Sequence, residues 1–303
     1  VFALRVRPRP STAPLRTLFR CRSVRRSERG RFPAEPPGGP VLEGPVGERL
    51  RCYVIRRVQE DVLDELPAPT RLVTVCPVAG SARVLADRLL DAAVASRGEH
   101  VLTSPGELVE ALARRLTTGS DLGVFSEARA ALAEIKIPTL ERRLFELRLR
   151  GIGVPGDPVV VCSEHRAPVD YLRRLNTGAQ QANRWADWPE ALWGFITGDE
   201  SKAQRDKVIE DLRAHRLAGV AITAAGGVGI TLIESRYMIK VSSSWSADDE
   251  QQRERRILRF GQKRPVTIES IVADHPVEAA VLSVVSKKAA RSAATWGRSR
   301  SST

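Results

Sequence analysis

The stretch Val159-Val-Val-Cys-Ser-Glu-His-Arg-Ala-Pro-Val-Asp-Tyr-Leu172 decides the fold class of this chain. It opens with four consecutive apolar residues, which is too short for a helix and typical of a strand buried on both faces. A helical pattern follows at once, near 166–175. A short buried strand followed by a helix is the unit from which parallel, helix-covered sheets are built.

The same unit recurs towards the carboxyl end. Further strands are predicted at Trp193–Thr197, Gly219–Ala224, Tyr237–Val241 and Val266–Ala273. Further helices are predicted from a Ser201 cap to about His215, near 247–259 and near 276–294. The pattern therefore predicts an α/β fold, with a parallel sheet covered by helices on both faces. Such sheets bind ligands at the carboxyl ends of their strands, here the loops after 162, 197, 224 and 242.

The residues upstream of this region predict a helical annex. Arg71–Val78 alternates in polarity and is rich in β-branched residues, as expected of a strand. Apolar residues then recur at helical spacing near 82–96, 105–117 and 125–149. Pro138 is expected to break or kink the last of these helices, because proline cannot continue the hydrogen-bond ladder.

The positive charge of the chain is concentrated at its two ends. The 303 residues carry a formal net charge of +12, of which residues 1–33 contribute +9 and residues 286–303 contribute +5, leaving about −2 between them. The middle of the chain therefore lacks the cationic excess that marks many nucleic-acid-binding domains. The Arg-, Pro- and Ser-rich start predicts a disordered tail, although a transit peptide has a similar composition.

Hydropathy and cysteine spacing exclude several classes of protein. No run approaches the ~18 apolar residues of a membrane span. The four cysteines lack CxxC spacing, so we expect a reduced, cytoplasmic protein. Cys162 and His165 have no second pair to complete a zinc site, so we predict a buried thiol and no metal. Arginine outnumbers lysine 41 to 7, which suggests a high-GC, bacterial genome.

Two glycine-rich segments differ in how well their positions suit phosphate binding. Gly151-Ile-Gly-Val-Pro-Gly156 matches GxGxxG, but it follows a helix and precedes a strand. We therefore expect a helix-ending loop there, which disfavours a nicotinamide-dependent oxidoreductase. Ala225–Gly229 directly follows a predicted strand, and its glycines permit close backbone approach to a phosphate. A plain tight turn explains the second segment equally well.

A row of polar and basic residues follows that second segment. Gln252, Arg256, Arg259 and Lys263 are spaced so that they would share one face of a helix. Aligned guanidinium groups suit a developing phosphate charge. From the pattern alone, a solvated helix surface is about equally plausible.

Taken in order, these segments resemble a known family. Thr223–Leu232, Trp245 and the pattern Gln252-x-x-x-Arg-x-x-Arg-x-Gly-Gln-x-Arg-Pro-Val266 resemble motifs V and VI of SWI/SNF-type superfamily-two DNA translocases, with the annealing-helicase-like branch nearest. Val159–Ser163 lies where motif IV belongs. Lys136-Ile-Pro138 resembles the Lys-containing segment before it, and Ile55–Pro67 resembles the segment that joins the two motor lobes. The resemblance covers about residues 48–288.

The resemblance implies a RecA-like helicase C-terminal lobe over 151–288. It would be preceded by a disordered Arg/Pro-rich tail (1–47) and by an inter-lobe segment with the helical annex (48–150), and followed by a basic tail (289–303). DNA and a first RecA-like helicase lobe, in the same gene or in a separate chain, are the implied partners, with no membrane and a nucleoid-associated location.

The resemblance also implies roles for particular residues. Arg256 and Arg259 would be arginine fingers, as motif VI supplies them in this family. The remaining implied site residues are two polar positioners, a loop coupling nucleotide to DNA, and an inter-lobe pair: Gln252 and Gln262; Thr223, Gly226, Gly227 and Gly229; Arg56 and Arg57.

The chain departs from the family at several positions. Arg255 and Leu258 replace the usual Asp and His of motif VI, Thr231 replaces an Asn after motif V, and Ser246-Ala247 replaces Asn-Pro after Trp245. The sequence also contains no GxxxxGK[ST] phosphate loop and no Asp-Glu-x-His-like box. We therefore expect ATP and Mg²⁺ to bind only together with a first lobe, and no ATP hydrolysis by this chain alone. A fragment, a frame-disrupted gene and a split protein all fit this absence, and so does a non-catalytic DNA-binding or interaction module.

Overall fold

A computed structural model describes residues 68–78, 84, 87, 105–118, 122–176, 193–223 and 229–296. In chain order its elements are β1 (Thr70–Cys76), α1 (Pro105–Thr118), α2 (Leu122–Ile135), α3 (Ile137–Leu149), β2 (Val159–Cys162), α4 (Arg166–Asn176), β3 (Trp193–Ile196), α5 (Lys202–Arg213), β4 (Gly219–Ile222), β5 (Tyr237–Lys240), α6 (Ala247–Glu254), β6 (Thr267–Ala273) and α7 (Pro276–Trp296). All of these except the end of α7 lie in one compact unit, Glu60–Ala290.

The strands form one six-stranded sheet in the order β1-β6-β5-β2-β4-β3, and every neighbouring pair is parallel. The side chains of the central strand β2 alternate between two cores. Val159 and Val161 pack with α3 and α4, whereas Val160 and Cys162 pack on the opposite face with Leu212 of α5 and with other apolar side chains. This two-sided burial explains the continuous apolar run, and it confirms the predicted α/β fold with a parallel sheet covered on both faces.

The sixth strand, β1, comes from the segment that was predicted to precede the lobe. It pairs in parallel with β6 along its whole length, from Thr70 opposite Thr267 to Cys76 opposite Ala273. The inter-lobe and annex segment predicted over 48–150 therefore completes the edge of the sheet.

The helical annex is interrupted next to Pro138, where the sequence predicts a break. Helix α2 ends at Ile135 and α3 begins at Ile137, with Pro138 in its first turn and Lys136 as its N-cap residue. The predicted break at Pro138 is confirmed. The helix predicted near 82–96 lies outside the described residues, except for Val84 and Asp87, which are helical.

The predicted carboxyl end of the helix near 247–259 is wrong. Helix α6 stops at Glu254, and Arg255 is its C-cap residue. The following residues form turns, because the Ile257 side chain is wholly buried in the core and Gly261 has a φ of +97°. Arg256, Arg259 and Lys263 therefore do not share a helix face with Gln252.

The GxGxxG segment is the predicted helix-ending loop. It connects α3 to β2, and Gly151, Gly153 and Gly156 all have positive φ. Within the described part of the chain, no helix is long and apolar enough to cross a membrane.

Candidate functional site

The loops at the carboxyl ends of the central strands are connected by hydrogen bonds. The backbone N–H of Ser163, after β2, donates to the carbonyl of Ile222 at the end of β4 (3.1 Å). On the other side, the N–H of Glu164 donates to the Ser242 hydroxyl in the loop after β5 (2.6 Å). These bonds tie together the loops at the carboxyl edge of the sheet, the edge at which parallel sheets generally bind ligands.

Helix α6 begins at this edge and lies on a network of buried charges. Lys240, the last residue of β5, donates to Glu250 (2.9 Å) and to Glu254 (2.8 Å), and all three side chains are buried. Burial alone would lower the pKa of Lys240, but the two carboxylates outweigh it and raise that pKa. A buried ion pair of this kind fixes geometry more than it adds stability, because desolvation offsets the attraction.

Two further ion pairs tie α6 to distant parts of the sheet. Arg71 of β1 forms a two-pronged contact with Glu254, at 2.9 and 2.7 Å. These bonds and the charge of Lys240 overcome burial and lower the pKa of Glu254. Arg253, which is 4% exposed, donates to Glu164 in the loop after β2. We call these six residues the α6 ion-pair network: Arg71, Glu164, Lys240, Glu250, Arg253 and Glu254.

Hydrogen bonds brace the turn after α6, residues 255–262, against the segment that follows β4. The amide Nε2 of Gln262 donates to the carbonyls of Ile233 (3.0 Å) and Ser235 (2.9 Å), and its Oε1 accepts from the N–H of Arg264 (3.1 Å). The N–H of Leu232 donates to the carbonyl of Arg256 (2.9 Å). The segment after β4 and the turn after α6 are therefore held together by backbone and amide contacts.

The two arginines predicted as fingers have different surroundings. Arg256 is 8% exposed, and its Nη1 is buried without a hydrogen-bond partner among the described residues. Burial lowers the pKa of Arg256, and the neighbouring charge of Arg253 lowers it further, against an opposing effect of Cys162. Arg259 is half-buried. The region of the chain that the structure describes contains no hydrogen bond or ion pair of the Arg259 side chain.

The other predicted site residues are only partly brought together. Thr223 lies at the end of β4, and Gly229 has a φ of +80°, a conformation that favours glycine. Gly226, Gly227, Arg56 and Arg57 lie outside the described residues. Gln252 is exposed on α6, whereas the Gln262 amide is occupied by protein backbone groups. Sequence reasoning missed this bracing role and the α6 ion-pair network, because the ion pairs made by Arg71, Glu164 and Lys240 join separate segments of the fold.

A second polar cluster lies at the same edge of the sheet, beneath α7. Lys136 donates to Glu278 and to the carbonyl of Val241 (2.9 Å), and Arg129 donates to the carbonyl of Ser243. Arg129, Lys136, Glu278 and Ser243 line a cavity of about 10 Å³ together with His165, and this cavity has room for one water molecule. Burial and the charges of Arg129 and Lys136 lower the pKa of His165 to about 4.

Cys162 is a buried thiol, as predicted. It is 1% exposed, and burial raises its pKa to about 12. Across the described ranges, no group of three or more His, Cys, Asp or Glu side chains could hold a metal ion.

The six-stranded parallel sheet and the segments at its carboxyl edge match the RecA-like C-terminal lobe of helicases. Residues 150–261 match the helicase conserved C-terminal domain. The solved C-terminal part of the Fun30 ATPase domain has the same fold, with a TM-score of 0.50 and 14% identity over 73% of this chain and 90% of that one.

More particularly, the relatives of this chain are SWI/SNF-related and Rad5/Rad54-type helicases. A SWI/SNF-related regulator of chromatin from Drosophila melanogaster is 22% identical over 282 residues, which is 79% of this chain and 33% of the relative. The uncharacterized ATP-dependent helicase YqhH of Bacillus subtilis is 30% identical over 132 residues, 44% of this chain and 22% of the relative. DNA repair protein RAD5 of Cryptococcus neoformans is 27% identical over 158 residues, 51% of this chain and 12% of the relative. The chain therefore spans a third or less of these relatives, most of which are eukaryotic; a bacterial origin stays a prediction.

Proposed function

We propose that this chain is the second motor lobe of an ATP-dependent DNA helicase or translocase. In this proposal it presents Arg259 and Arg256 to a nucleotide that a first RecA-like lobe holds with Mg²⁺. The observation that carries the proposal is the braced turn 255–262. Its backbone is fixed by Gln262 and by the buried Ile257, yet Arg259 has no ion-pair partner within the described residues. A guanidinium that is carried by a fixed backbone and has no counter-charge suits the charge that develops on a transferring phosphoryl group.

The two arginines have different parts in this proposal. Arg259 is accessible and makes the contact with the phosphate. Arg256 is buried beside Cys162, so it reaches the nucleotide only if the first lobe closes against the turn. Thr223 and Gly229 border the loop that would couple the nucleotide to DNA, and exposed Gln252 would position the nucleotide through its amide.

The test is ATP hydrolysis by this chain mixed with a first-lobe probe and duplex DNA. The probe is taken from the part of the Bacillus subtilis relative that does not align with this chain, where its first RecA-like lobe is expected. We expect hydrolysis only in the mixture, and Arg259→Ala should lower kcat by about 10³, the lower end of the range for arginine fingers. Lys207→Ala removes an exposed cation from α5, away from the turn, and is the matched control. Equal rates for the two variants would refute the role of Arg259.

A non-catalytic interaction module is the second candidate, and the burial of Arg256 favours it. An arginine that is 8% exposed, with Nη1 unsatisfied within the described part, is poorly placed for a ligand. Replacement of the family's Asp and His by Arg255 and Leu258 points the same way. If the mixture binds DNA but never hydrolyses ATP, while the first-lobe probe joined to its own second lobe does, this second function is the correct one.

A further inference from the structure

The apex of the turn 255–262 carries an exposed aromatic side chain. Phe260 is 71% exposed, and it lies between the half-buried Arg259 and the exposed Gly261 in a turn whose base is in the core. Leaving a phenylalanine in water forgoes the stabilisation that its burial would give. A single exposed apolar residue is ordinary on its own, so the question is what holds this one outside.

The turn itself prevents Phe260 from folding inwards. Gly261 has a φ of +97°, and a Cβ at this position would lie 3.1 Å from Cδ1 of Ile233. Gln262 is 5% exposed and donates to the backbone carbonyls of Ile233 and Ser235, while Ile257 occupies the core. Phe260 is therefore presented by a rigid support and does not protrude through looseness of the chain.

The surroundings of Phe260 are cationic. Arg259 precedes it and Lys263 follows three residues later, and neither has an ion pair or hydrogen bond in the part of the chain that the structure describes. The nearest carboxylate in sequence is Glu254, which is engaged elsewhere because it binds Arg71 and Lys240. An aromatic ring with arginine beside it is the composition of residues that dominate protein interfaces. Its complement is an apolar pocket with a carboxylate rim.

The shape and charge of the apex favour a protein partner over the other occupants. Small molecules bind in concave sites, whereas Phe260 stands out from its support. Single-stranded nucleic acids stack on several successive aromatic rings in a cationic groove, whereas Phe260 is the only aromatic residue in the turn 255–262 and the middle of the chain has a net charge of about −2. A second copy of this chain is an outcome for the experiment to recognise.

We infer that Phe260 inserts into an apolar, acid-rimmed pocket of the first RecA-like lobe. This inference rests on the proposed function, because Arg259 must face a nucleotide held by that lobe. The Cα atoms of residues 259 and 260 are neighbours, about 3.8 Å apart, so Phe260 reaches the same interface. Phe260 would thus determine how tightly the lobes associate, while Arg259 acts on the rate.

The experiment measures the affinity of this chain for the same first-lobe probe by isothermal titration calorimetry. Phe260→Ala should weaken binding by about tenfold or more, as expected of a central interface aromatic, and Phe260→Leu should lose less. Phe145→Ala is the matched control, because Phe145 is 46% exposed and belongs to α3 on the opposite face of the sheet. Because Phe260 is exposed, the thermal unfolding midpoint should not change.

The outcomes separate this inference from the proposed function. If Arg259→Ala abolishes hydrolysis but Phe260→Ala binds the probe as tightly as the unchanged chain does, the docking role is wrong and the proposed function stands. Equal weakening by Phe145→Ala would also overturn the docking role. If the unchanged chain neither binds the probe nor gains hydrolysis from it, both proposals are overturned. Loss of self-association in Phe260→Ala, seen by sedimentation, would assign the pocket to a second copy instead.

Discussion

Replacing Gln262 with leucine should destabilise the lobe, although the family resemblance predicts a role for this residue at the nucleotide. The side chain is 5% exposed and makes three well-formed hydrogen bonds, to the carbonyls of Ile233 and Ser235 and from the N–H of Arg264, at 2.9–3.1 Å. Leucine has a similar volume and fills the same space. It leaves all three backbone groups without their partner.

The magnitude follows from those three bonds. A typical intramolecular hydrogen bond contributes about 1 kcal/mol net, and a buried group that loses its partner costs about 1–3 kcal/mol. Ser235 is wholly buried, so water cannot easily replace the lost bond to its carbonyl. We therefore expect the free energy of unfolding to fall by about 3 kcal/mol. For a domain of this size the unfolding midpoint should drop by about 6–12 °C, at about 2–4 °C per kcal/mol.

Urea unfolding followed by circular dichroism measures this change, with Gln252→Leu as the matched control. Gln252 is also a predicted polar positioner, but it is exposed on α6, so its replacement should change stability by no more than about 0.5 kcal/mol. Unfolding of Gln262→Leu at the same urea concentration as the unchanged chain would refute the bracing role. An equal loss of stability in Gln252→Leu would refute it too, because an exposed glutamine would then matter as much as a buried, hydrogen-bonded one.

Three further predictions concern the buried charges. The pKa of His165 is about 4 instead of 6.5, because burial and the charges of Arg129 and Lys136 disfavour its protonation. The free energy of unfolding should therefore fall as the pH drops from about 6.5 towards 4. His165→Gln should flatten that part of a pH–stability profile. Arg256→Met should leave the free energy of unfolding unchanged or raise it, since it removes a buried, incompletely bonded guanidinium, and a loss above about 2 kcal/mol in urea unfolding would contradict this. Glu278→Gln should cost about 3–5 kcal/mol, because it leaves the buried ammonium of Lys136 without its carboxylate; an unchanged thermal midpoint would show that the pair is dispensable.

The sheet could be predicted because its signals are local. Val159–Cys162 and Gly219–Ile222 are wholly buried, so both faces of these strands must be apolar and the run is visible in the sequence. The break between α2 and α3 was equally visible, since Pro138 acts on its own turn. By contrast, Arg71–Val78 had a strand pattern that did not reveal its partner. Pairing of β1 with β6 joins residues almost two hundred positions apart, and alternation says nothing about register between such segments.

The candidate site was predictable in position but not in geometry. The spacing of Gln252, Arg256 and Arg259 suits a helix, and nothing local to these residues ends it at Glu254. The helix ends there because Ile257 must enter the core and Gly261 must turn the chain, which are demands of tertiary packing. The α6 ion-pair network was hidden for the same reason, since the pairs made by Arg71, Glu164 and Lys240 join α6 to separate segments of the fold.

The departures from the family in this turn fall at positions where backbone or apolar packing suffices. Leu258, in place of the family's His, packs against the core cluster that contains Ile257. Arg255, in place of Asp, caps α6 through its backbone N–H, which any residue except proline provides. The residues that shape the turn, Gly261 and Gln262, are the ones the chain retains. The position of Arg259 is therefore fixed by backbone geometry and by one buried amide, and it survives the loss of the Asp and His side chains. The proposed presentation of Arg259 and the polar network that the resemblance implies around the nucleotide are thus separable, and the departures from the family affect only the second.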